Sequence, residues 1–203
     1  MRKVAGSRYI SGKQATAYLQ AMLHDRENGK KLNLAVTLNF SCTNSPAGSA
    51  SYAMQRLVSD RFGRWFRYQS QKAIRNGKDP YGPAIYTWVA EAKAGKHFHW
   101  CIYMPEELRK EFEKKLPRWI SDTVGEIKDL DGCINIKDIY GVMGIARYCM
   151  KGISPIQAGR RHIRPEEQGI VYGKRVAISR SLGKKARARA LKCSAKPPVK
   201  LAA

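Results

Sequence analysis

Short apolar runs, partly β-branched and alternating, predict β-strands at 31–40 (KLNLAVTLNF), 85–91, 97–104 and 131–139. The segment 169–182 could contain one or two more. Turn-forming residues border these runs, for example NGKDPYGP at 76–83. The chain therefore has enough predicted strands for one sheet.

Helical spacing of apolar positions predicts helices at 13–27, 50–76, 105–127 and 140–153. The apolar positions of the second helix recur at steps of three and four: Met54, Leu57, Val58, Phe62, Trp65 and Phe66. The third begins with proline and two acidic residues, a favourable helix start, and Pro117 is expected to kink or split it.

The order β, α, β, β, α, β, α predicts an α+β fold, an antiparallel sheet with helices mainly on one face and the other face open for a site. We assign residues 31–153 to the main domain and 1–30 to a basic lead-in containing a helix. Residues 154–183 are predicted to form a basic extension packing on that domain. Residues 184–203, basic and proline-containing, are expected to be disordered when free.

The strands around Glu91 and His97 are predicted to form a hairpin with a three-residue turn at 93–95 that ends in glycine. In that register Glu91 faces His97, Val89 faces His99, and the carboxylate and both imidazoles project from one face. The opposite face collects an apolar set that defines the core side: Tyr86, Trp88, Ala90, Phe98, Trp100, Ile102 and Met104.

Two imidazoles and one carboxylate can bind a divalent metal and leave coordination positions open for substrate oxygen. We therefore predict that Glu91, His97 and His99 bind Mn²⁺ or Mg²⁺, with nitrogen ligands favouring Mn²⁺. The competing interpretation is a pair of surface histidines on a strand. Cys101 shares this face and is either a soft ligand or, more simply, a small packing residue.

Tyr148 and Lys151 lie three residues apart in ARYCMKG, on one face of the predicted helix. A tyrosine is a poor nucleophile while protonated, with an ordinary pKa of about 10. A neighbouring ammonium or metal favours the phenolate, and the ammonium can also neutralise charge on a phosphoryl oxygen. The alternative is an exposed Tyr–Lys pair without chemistry.

The net charge of +22, from 38 Lys and Arg against 16 Asp and Glu, implies a polyanionic partner, nucleic acid before an anionic membrane. No apolar run is long enough to span a bilayer, the first residues lack a signal-peptide core, and the five scattered cysteines suit a reducing cytoplasm.

The basic C-terminal part is predicted to contact DNA phosphates or, alternatively, to be a solubilising tail. The DNA-binding candidates are Lys174, Arg175, Lys184, Lys185, Arg187 and Arg189.

The motifs HFHW at 97–100 and YCMK at 148–151 resemble those of the HUH (histidine–hydrophobe–histidine) endonucleases. LAVTLNF at 34–40 resembles the family's first motif, so the resemblance covers roughly residues 31–153. A single tyrosine after the histidine pair is similar to the arrangement of rolling-circle replication initiators. Conjugative relaxases usually have the opposite order, whereas several insertion-sequence transposases share this one.

This resemblance implies a ferredoxin- or RRM-like sheet with a metal site on its open face. His97 and His99 would be metal ligands, with Glu91 the third, and Tyr148 would nick single-stranded or origin DNA through a 5′-phosphotyrosyl link that can be rejoined. Lys151 would assist. The implied role is to initiate rolling-circle replication of a plasmid or phage, and because no P-loop is present, a host helicase is expected to separate the strands. Tyr140, eight residues before Tyr148, is interpreted as structural.

A second class remains open, a non-enzymatic RRM-like protein that binds single-stranded nucleic acid. In such proteins aromatic residues lie on the open face of the sheet. Here Trp88, Phe98 and Trp100 are predicted on the face opposite the histidines, which favours the enzyme.

Overall fold

The computed structural model describes residues 5–27, 29–44, 50–92 and 96–194. Its strands are β1 (Gly6–Ser7), β2 (Leu34–Asn39), β3 (Tyr86–Glu91), β4 (His97–Ile102), β5 (Ile134–Asp138), β6 (Val171–Tyr172) and β7 (Val176–Ile178). Its α-helices are α1 (Gly12–Glu27), α2 (Ala50–Arg56), α3 (Gly63–Arg75), α4 (Glu106–Thr123), α5 (Leu130–Cys133), α6 (Val142–Cys149), α7 (Pro155–Ala158) and α8 (Lys184–Ser194).

Five strands form one antiparallel sheet in the order β5-β2-β4-β3-β7, and β1 pairs separately with β6. Strand β4 lies between β2 and β3, so the connection from β2 to β3 crosses over one strand. The prediction of an α+β fold with an antiparallel sheet is confirmed.

One face of the sheet packs against α2, α3 and α4 through an aromatic core. The ring of Phe62 lies 5.0 Å from that of Trp100 and 5.9 Å from that of Phe112, both edge to face. All the apolar residues predicted for this face belong to this core, with Tyr86 at its margin. The alternation along β3 and β4 therefore identified the core side correctly.

Two predicted helices differ in detail from the structure. The predicted helix 50–76 contains a π-helical stretch, Leu57–Phe62, that joins α2 to α3. Helix α4 runs on through Pro117 without the expected split. Leu116 and Ile120 on either side of the proline are fully buried, and this packing offsets the hydrogen bond that a proline removes from a helix.

The expectation of helices mainly on one face is wrong, because α1 and α6 cover part of the second face. Tyr18 and Met22 of α1 are fully buried there, together with Val89 of β3 and Cys101 of β4. At this end of the sheet, β3 and β4 therefore carry apolar side chains on both faces. Burying the second set requires a second layer of helices. The region around the histidines is covered only in part, by Tyr148 of α6 and by Lys151, and it borders a cavity.

The C-terminal part adds structure to this domain. Strand β7 joins the sheet edge beside β3. Residues 184–194 form α8, where disorder was expected, and Arg187 anchors it by donating hydrogen bonds to the Leu182 carbonyl at 2.6 Å and to Gln20 Oε1 at 3.1 Å. The rest of the predicted tail, 195–203, lies outside the described residues.

Among the described residues, the helices all lack the length or the apolar character needed to cross a bilayer.

Candidate active site

The predicted hairpin register is confirmed: Glu91 pairs with His97, and Val89 pairs with His99. The turn assigned to 93–95 lies outside the described residues. Because directly paired residues of an antiparallel sheet point to the same side, Glu91, His97 and His99 share one face. The hairpin therefore brings a carboxylate and two imidazoles to the face opposite the aromatic core, where Glu91 and His99 are buried and His97 is partly exposed.

His99 lies at the centre of the cluster, between Thr37 and Glu91. Its Nδ1 hydrogen-bonds with Thr37 Oγ1 at 3.3 Å, and its Nε2 is 3.2 Å from Glu91 Oε1. The latter contact has an ion-pair distance but not the angles of a hydrogen bond, so both buried atoms lack a hydrogen-bond partner. Two such atoms facing each other are suited to share a cation.

Burial raises the pKa of Glu91, but the contact with His99 and the charge of Lys151 outweigh it, and the pKa is lowered overall. Burial lowers the pKa of His99, yet the contact with Glu91 and the proximity of Cys149 raise it above its ordinary value. Both shifts favour the charged forms, an imidazolium beside a carboxylate. A metal bound here must displace the proton from His99.

His97 is partly exposed next to this pair. Its pKa is lowered by burial and by the charges of His99 and Lys151, against an opposing effect of Glu91, so a neutral imidazole with a free lone pair is favoured. Within the described part of the chain, no three His, Cys, Asp or Glu side chains lie close enough together to hold a metal ion. The three predicted ligands therefore share one face, with Glu91 and His99 in direct contact and His97 apart from them, but they do not converge as a three-residue metal site.

Lys151 follows the end of α6 and reaches the same carboxylate. Its Nζ is 3.4 Å from Glu91 Oε2 and 3.8 Å from Glu166 Oε2, and it lies 4.3 Å from the centre of the Tyr148 ring. Burial lowers the pKa of Lys151, but the charge of Glu91 and the contacts with Tyr148 and Glu166 raise it overall. The side chain is therefore an ammonium held between carboxylates and a phenol.

The Tyr148 side chain is half exposed, and its ring lies edge to face 5.0 Å from that of His99. Tyr148 comes from the last turn of α6 and Lys151 from the turn that follows it, whereas Glu91 and His99 come from β3 and β4. Residues predicted separately from two motifs therefore meet in one cluster. The Tyr148 ring thus contacts both His99 and Lys151, while half of the residue remains exposed.

This cluster lines one end of a cavity of about 780 Å³ between β5, β2, β4 and α6. Tyr140 lies at the rim and is 96% exposed, so its interpretation as a structural residue is wrong: a side chain in solvent packs no core. Cys101 is buried beside Cys149 and Tyr18, in agreement with the packing interpretation and not with a ligand reached from solvent.

Sequence reasoning missed three residues that border the cluster: Thr37, Glu166 and Gln168. Thr37 had a detectable signal, since it is the polar residue in the middle of an apolar strand and its alternation places it on the histidine side. Glu166 and Gln168 lie in an irregular segment with no periodicity. Their approach to Lys151 depends on the path of that segment.

The predicted DNA-binding set divides in two. Lys174, Lys184, Lys185 and Arg189 are exposed, whereas Arg187 is partly buried and Arg175 fully buried, both in hydrogen bonds within the protein. Arg175 is only 1% exposed and donates hydrogen bonds to the carbonyls of Ser7 at 2.6 Å and Gly169 at 3.2 Å, so its assignment to a DNA-contacting surface is wrong. Arg175 immediately precedes β7, and its buried side chain connects the N-terminal segment at Ser7 to the segment at Gly169.

Comparisons of the chain with protein-family models, with curated proteins and with solved structures found no match.

Proposed function

We propose that the protein is a metal-dependent endonuclease that nicks and rejoins single-stranded DNA through a tyrosine. The observation that carries this proposal is the meeting of Tyr148 with His99, Glu91 and Lys151, with ring centres 5.0 Å apart and Lys151 Nζ 3.4 Å from the carboxylate. A nucleophile, a cation and candidate metal ligands are the parts that phosphoryl transfer requires.

The topology supports the same class of protein. The order β2, helix, β3, β4, helix, β5 with strands arranged β5-β2-β4-β3 is a split β-α-β pattern, typical of ferredoxin-like and RRM-like sheets. Such a sheet is also the fold that the resemblance to HUH endonucleases implies. Fold alone does not assign function, so the weight of the proposal lies on the side chains.

In the proposed reaction the Tyr148 hydroxyl loses its proton and attacks the phosphorus of a phosphodiester. The bond from phosphorus to the 3′ oxygen breaks, and that oxygen takes up a proton and leaves as a 3′-hydroxyl. The product is a 5′-phosphotyrosyl ester, whose attack by a 3′-hydroxyl reverses the reaction. Lys151 stabilises the negative charge on the phosphoryl oxygens.

Glu91 and His99, with His97 beside them, would hold a divalent cation, Mn²⁺ or Mg²⁺, which polarises the phosphate when bound. Thr37 orients the His99 ring through Nδ1 and keeps Nε2 directed at Glu91. Lys151 has a second task, since its charge keeps Glu91 ionised. These residues therefore prepare one position for a cation and a neighbouring one for a phosphate.

The partners proposed are single-stranded or origin DNA and a helicase of the host. Initiation of rolling-circle replication of a plasmid or phage is the proposed role, with transposition of an insertion sequence as the variant that shares the chemistry. The net charge of +22 supports a nucleic-acid partner in each case.

The test is to trap a covalent adduct. The protein is incubated with circular single-stranded DNA and Mn²⁺, denatured, digested with protease and analysed by mass spectrometry for a modified peptide. We expect the adduct on Tyr148, none with Tyr148→Phe despite retained DNA binding, and a rate lower by about two to three decades with Lys151→Ala. Tyr140→Phe is the matched control and should react normally. DNA binding without any adduct would leave the non-enzymatic nucleic-acid-binding protein as the better description.

A further inference from the structure

The end of the cavity away from Glu91 contains a group of polar and aromatic side chains that the proposed chemistry does not use. They are Asn135 and Lys137 of β5 and Tyr140, which follows β5. A cavity of about 780 Å³ is far larger than one phosphate group needs, since pockets of about 300–1,000 Å³ hold drug-sized ligands. This end has room for a further part of a substrate.

The sheet register gives the distance from the reacting groups. Asn135 pairs with Thr37 on one side, and Thr37 pairs with His99 on the other, so the three residues form one row across the sheet. Neighbouring strands are about 4.8 Å apart, which puts Asn135 roughly 10 Å from His99 on the same face. A nucleotide adjoining a phosphate bound at His99 can reach that far.

The side chains at this end have free capacity for binding. Tyr140 is 96% exposed, so both faces of its ring are accessible to a ligand. Asn135 is exposed, and its amide, with donor and acceptor side by side, has no protein partner among the described residues. Asp138, the nearest acid, is neutralised by Arg109, whose Nη1 is 2.6 Å from its Oδ1, so it does not repel an anion here.

We propose that Tyr140 and Asn135 form a nucleobase subsite, which takes an unpaired base next to the scissile phosphate. Tyr140 stacks on the base, Asn135 hydrogen-bonds its edge, and Lys137 contacts a phosphate. Aromatic stacking accepts every base, whereas an Asn amide pairs in bidentate fashion with adenine. The subsite therefore binds single strands generally and prefers adenine. This inference rests on the proposed function in assigning the neighbouring phosphate to the reaction.

The glycines beside Tyr140 keep the approach open. An added Cβ at Gly141 or Gly144, both of which line the cavity, would meet nothing within 4 Å. The space next to the tyrosine is therefore unfilled, as entry of a base requires.

The test measures binding apart from chemistry. Fluorescein-labelled 15-nucleotide oligo(dA), oligo(dT) and an oligomer of the same length made wholly of abasic residues are titrated with the full chain in EDTA at fixed salt. Four variants are compared with the original sequence: Tyr140→Ala, Tyr140→Phe, Asn135→Ala and, as a matched control, Tyr52→Ala. Tyr52 is a 66% exposed tyrosine on α2, away from the cavity.

We expect Tyr140→Ala to weaken oligo(dA) binding by about 5- to 150-fold, the range that one stacked base contributes. Tyr140→Phe and Tyr52→Ala should bind within about twofold of the original. The abasic oligomer should bind the original and Tyr140→Ala equally, because only phosphates are left to contact. Asn135→Ala should reduce the preference for oligo(dA) over oligo(dT).

Equal binding of oligo(dA) by the original and Tyr140→Ala overturns the proposal, and so does an equal loss with Tyr52→Ala. The adduct assay of the proposed function is independent of these titrations. If Tyr140→Ala binds oligo(dA) as tightly as the original protein and adduct formation is normal, the subsite proposal is rejected and the nuclease proposal stands. If binding depends on the bases and Tyr140 but no adduct forms, the subsite is supported and the proposed nuclease function is rejected.

Discussion

The two faces of the hairpin β3–β4 carry different chemistry. On one, Phe98 and Trp100 pack into a continuous aromatic core with Phe62 and Phe112. On the other, Glu91 and His99 are equally buried but polar, with atoms that lack hydrogen-bond partners. Trp100 Nε1 on the aromatic face also lacks a hydrogen-bond partner, but it is a single atom among apolar rings. On the other face, two unpartnered polar atoms of opposite chemical character lie 3.2 Å apart, an arrangement that stability alone does not require.

The two faces also differ in how their carboxylates are hydrogen-bonded. Glu111, on the aromatic side, accepts hydrogen bonds from Trp65 Nε1 at 3.0 Å and from Gln69 Nε2 at 3.0 and 3.1 Å. Glu91 contacts the His99 imidazole and the Lys151 ammonium, and its buried Oε1 has no partner with hydrogen-bond geometry. A satisfied carboxylate is structural, and an unsatisfied one beside an imidazole is a candidate ligand.

The largest effect on function is expected from the double variant His97→Ala/His99→Ala, which removes both imidazoles from the polar face. We expect nicking to be lost completely while the protein stays folded, because the aromatic core is untouched. Mn²⁺ titration by calorimetry, circular dichroism and the adduct assay measure the three properties. Undiminished nicking by the double variant would remove the metal role. Tight zinc binding through Cys101 would show instead that the ligand set is different.

The reverse experiment removes a ring from the aromatic side. Phe112→Ala should lower the free energy of unfolding by about 3–5 kcal/mol, the usual cost of deleting a buried phenyl group. Nicking per folded molecule should be unchanged. Ile156→Ala is the control, because Ile156 is 84% exposed and such changes stay within about 0.5 kcal/mol. Urea unfolding checks both, and a small effect of Phe112→Ala would contradict the contrast between the faces.

The pH dependence of stability tests the Glu91–His99 pair in metal-free protein. The raised pKa of His99 adds stability that is present below its ordinary pKa of 6.5 and is lost as the pH rises through the folded-state pKa. The lowered pKa of Glu91 adds stability above its ordinary 4.5, lost as the pH falls through the folded-state value. Stability from the pair is therefore greatest between pH 4.5 and 6.5.

Unfolding free energies measured from pH 3 to 9 should show both losses in the original protein and neither in Glu91→Gln. His162→Asn serves as a control, since His162 is exposed, adopts a left-handed backbone with φ of 51° that asparagine tolerates, and is remote from the pair in sequence. Identical profiles for the original and Glu91→Gln would mean that the pair does not titrate as inferred.

The smallest effect is expected at the exposed basic residues. Replacing Lys184, Lys185 and Arg189 by glutamine should reduce the slope of log affinity against log salt by about 0.7 per lost contact with a single strand. Arg187 is left in place because it anchors α8. The nicking rate at saturating DNA should not change. A constant slope would show that this segment does not touch DNA.

Sequence alone determined the strands, the register of the hairpin and the sharing of one face by Glu91, His97 and His99. Alternation is a local property, and seven apolar residues on the opposite side permit only one register. The helix carrying Tyr148 and Lys151 was also predictable, because its periodicity is local.

Only the tertiary structure decided which side chains lie in contact with one another. Whether Tyr148 approaches His99 depends on the packing of α6 against the sheet, and that packing depends on α1, whose coverage of the second face no local pattern indicated. Arg175 turned inward and Tyr140 outward for the same reason: the surroundings of a side chain are formed by segments far away in the chain. Local sequence governs the direction of a side chain along its strand or helix, and long-range packing governs its neighbours, its burial and therefore its chemistry.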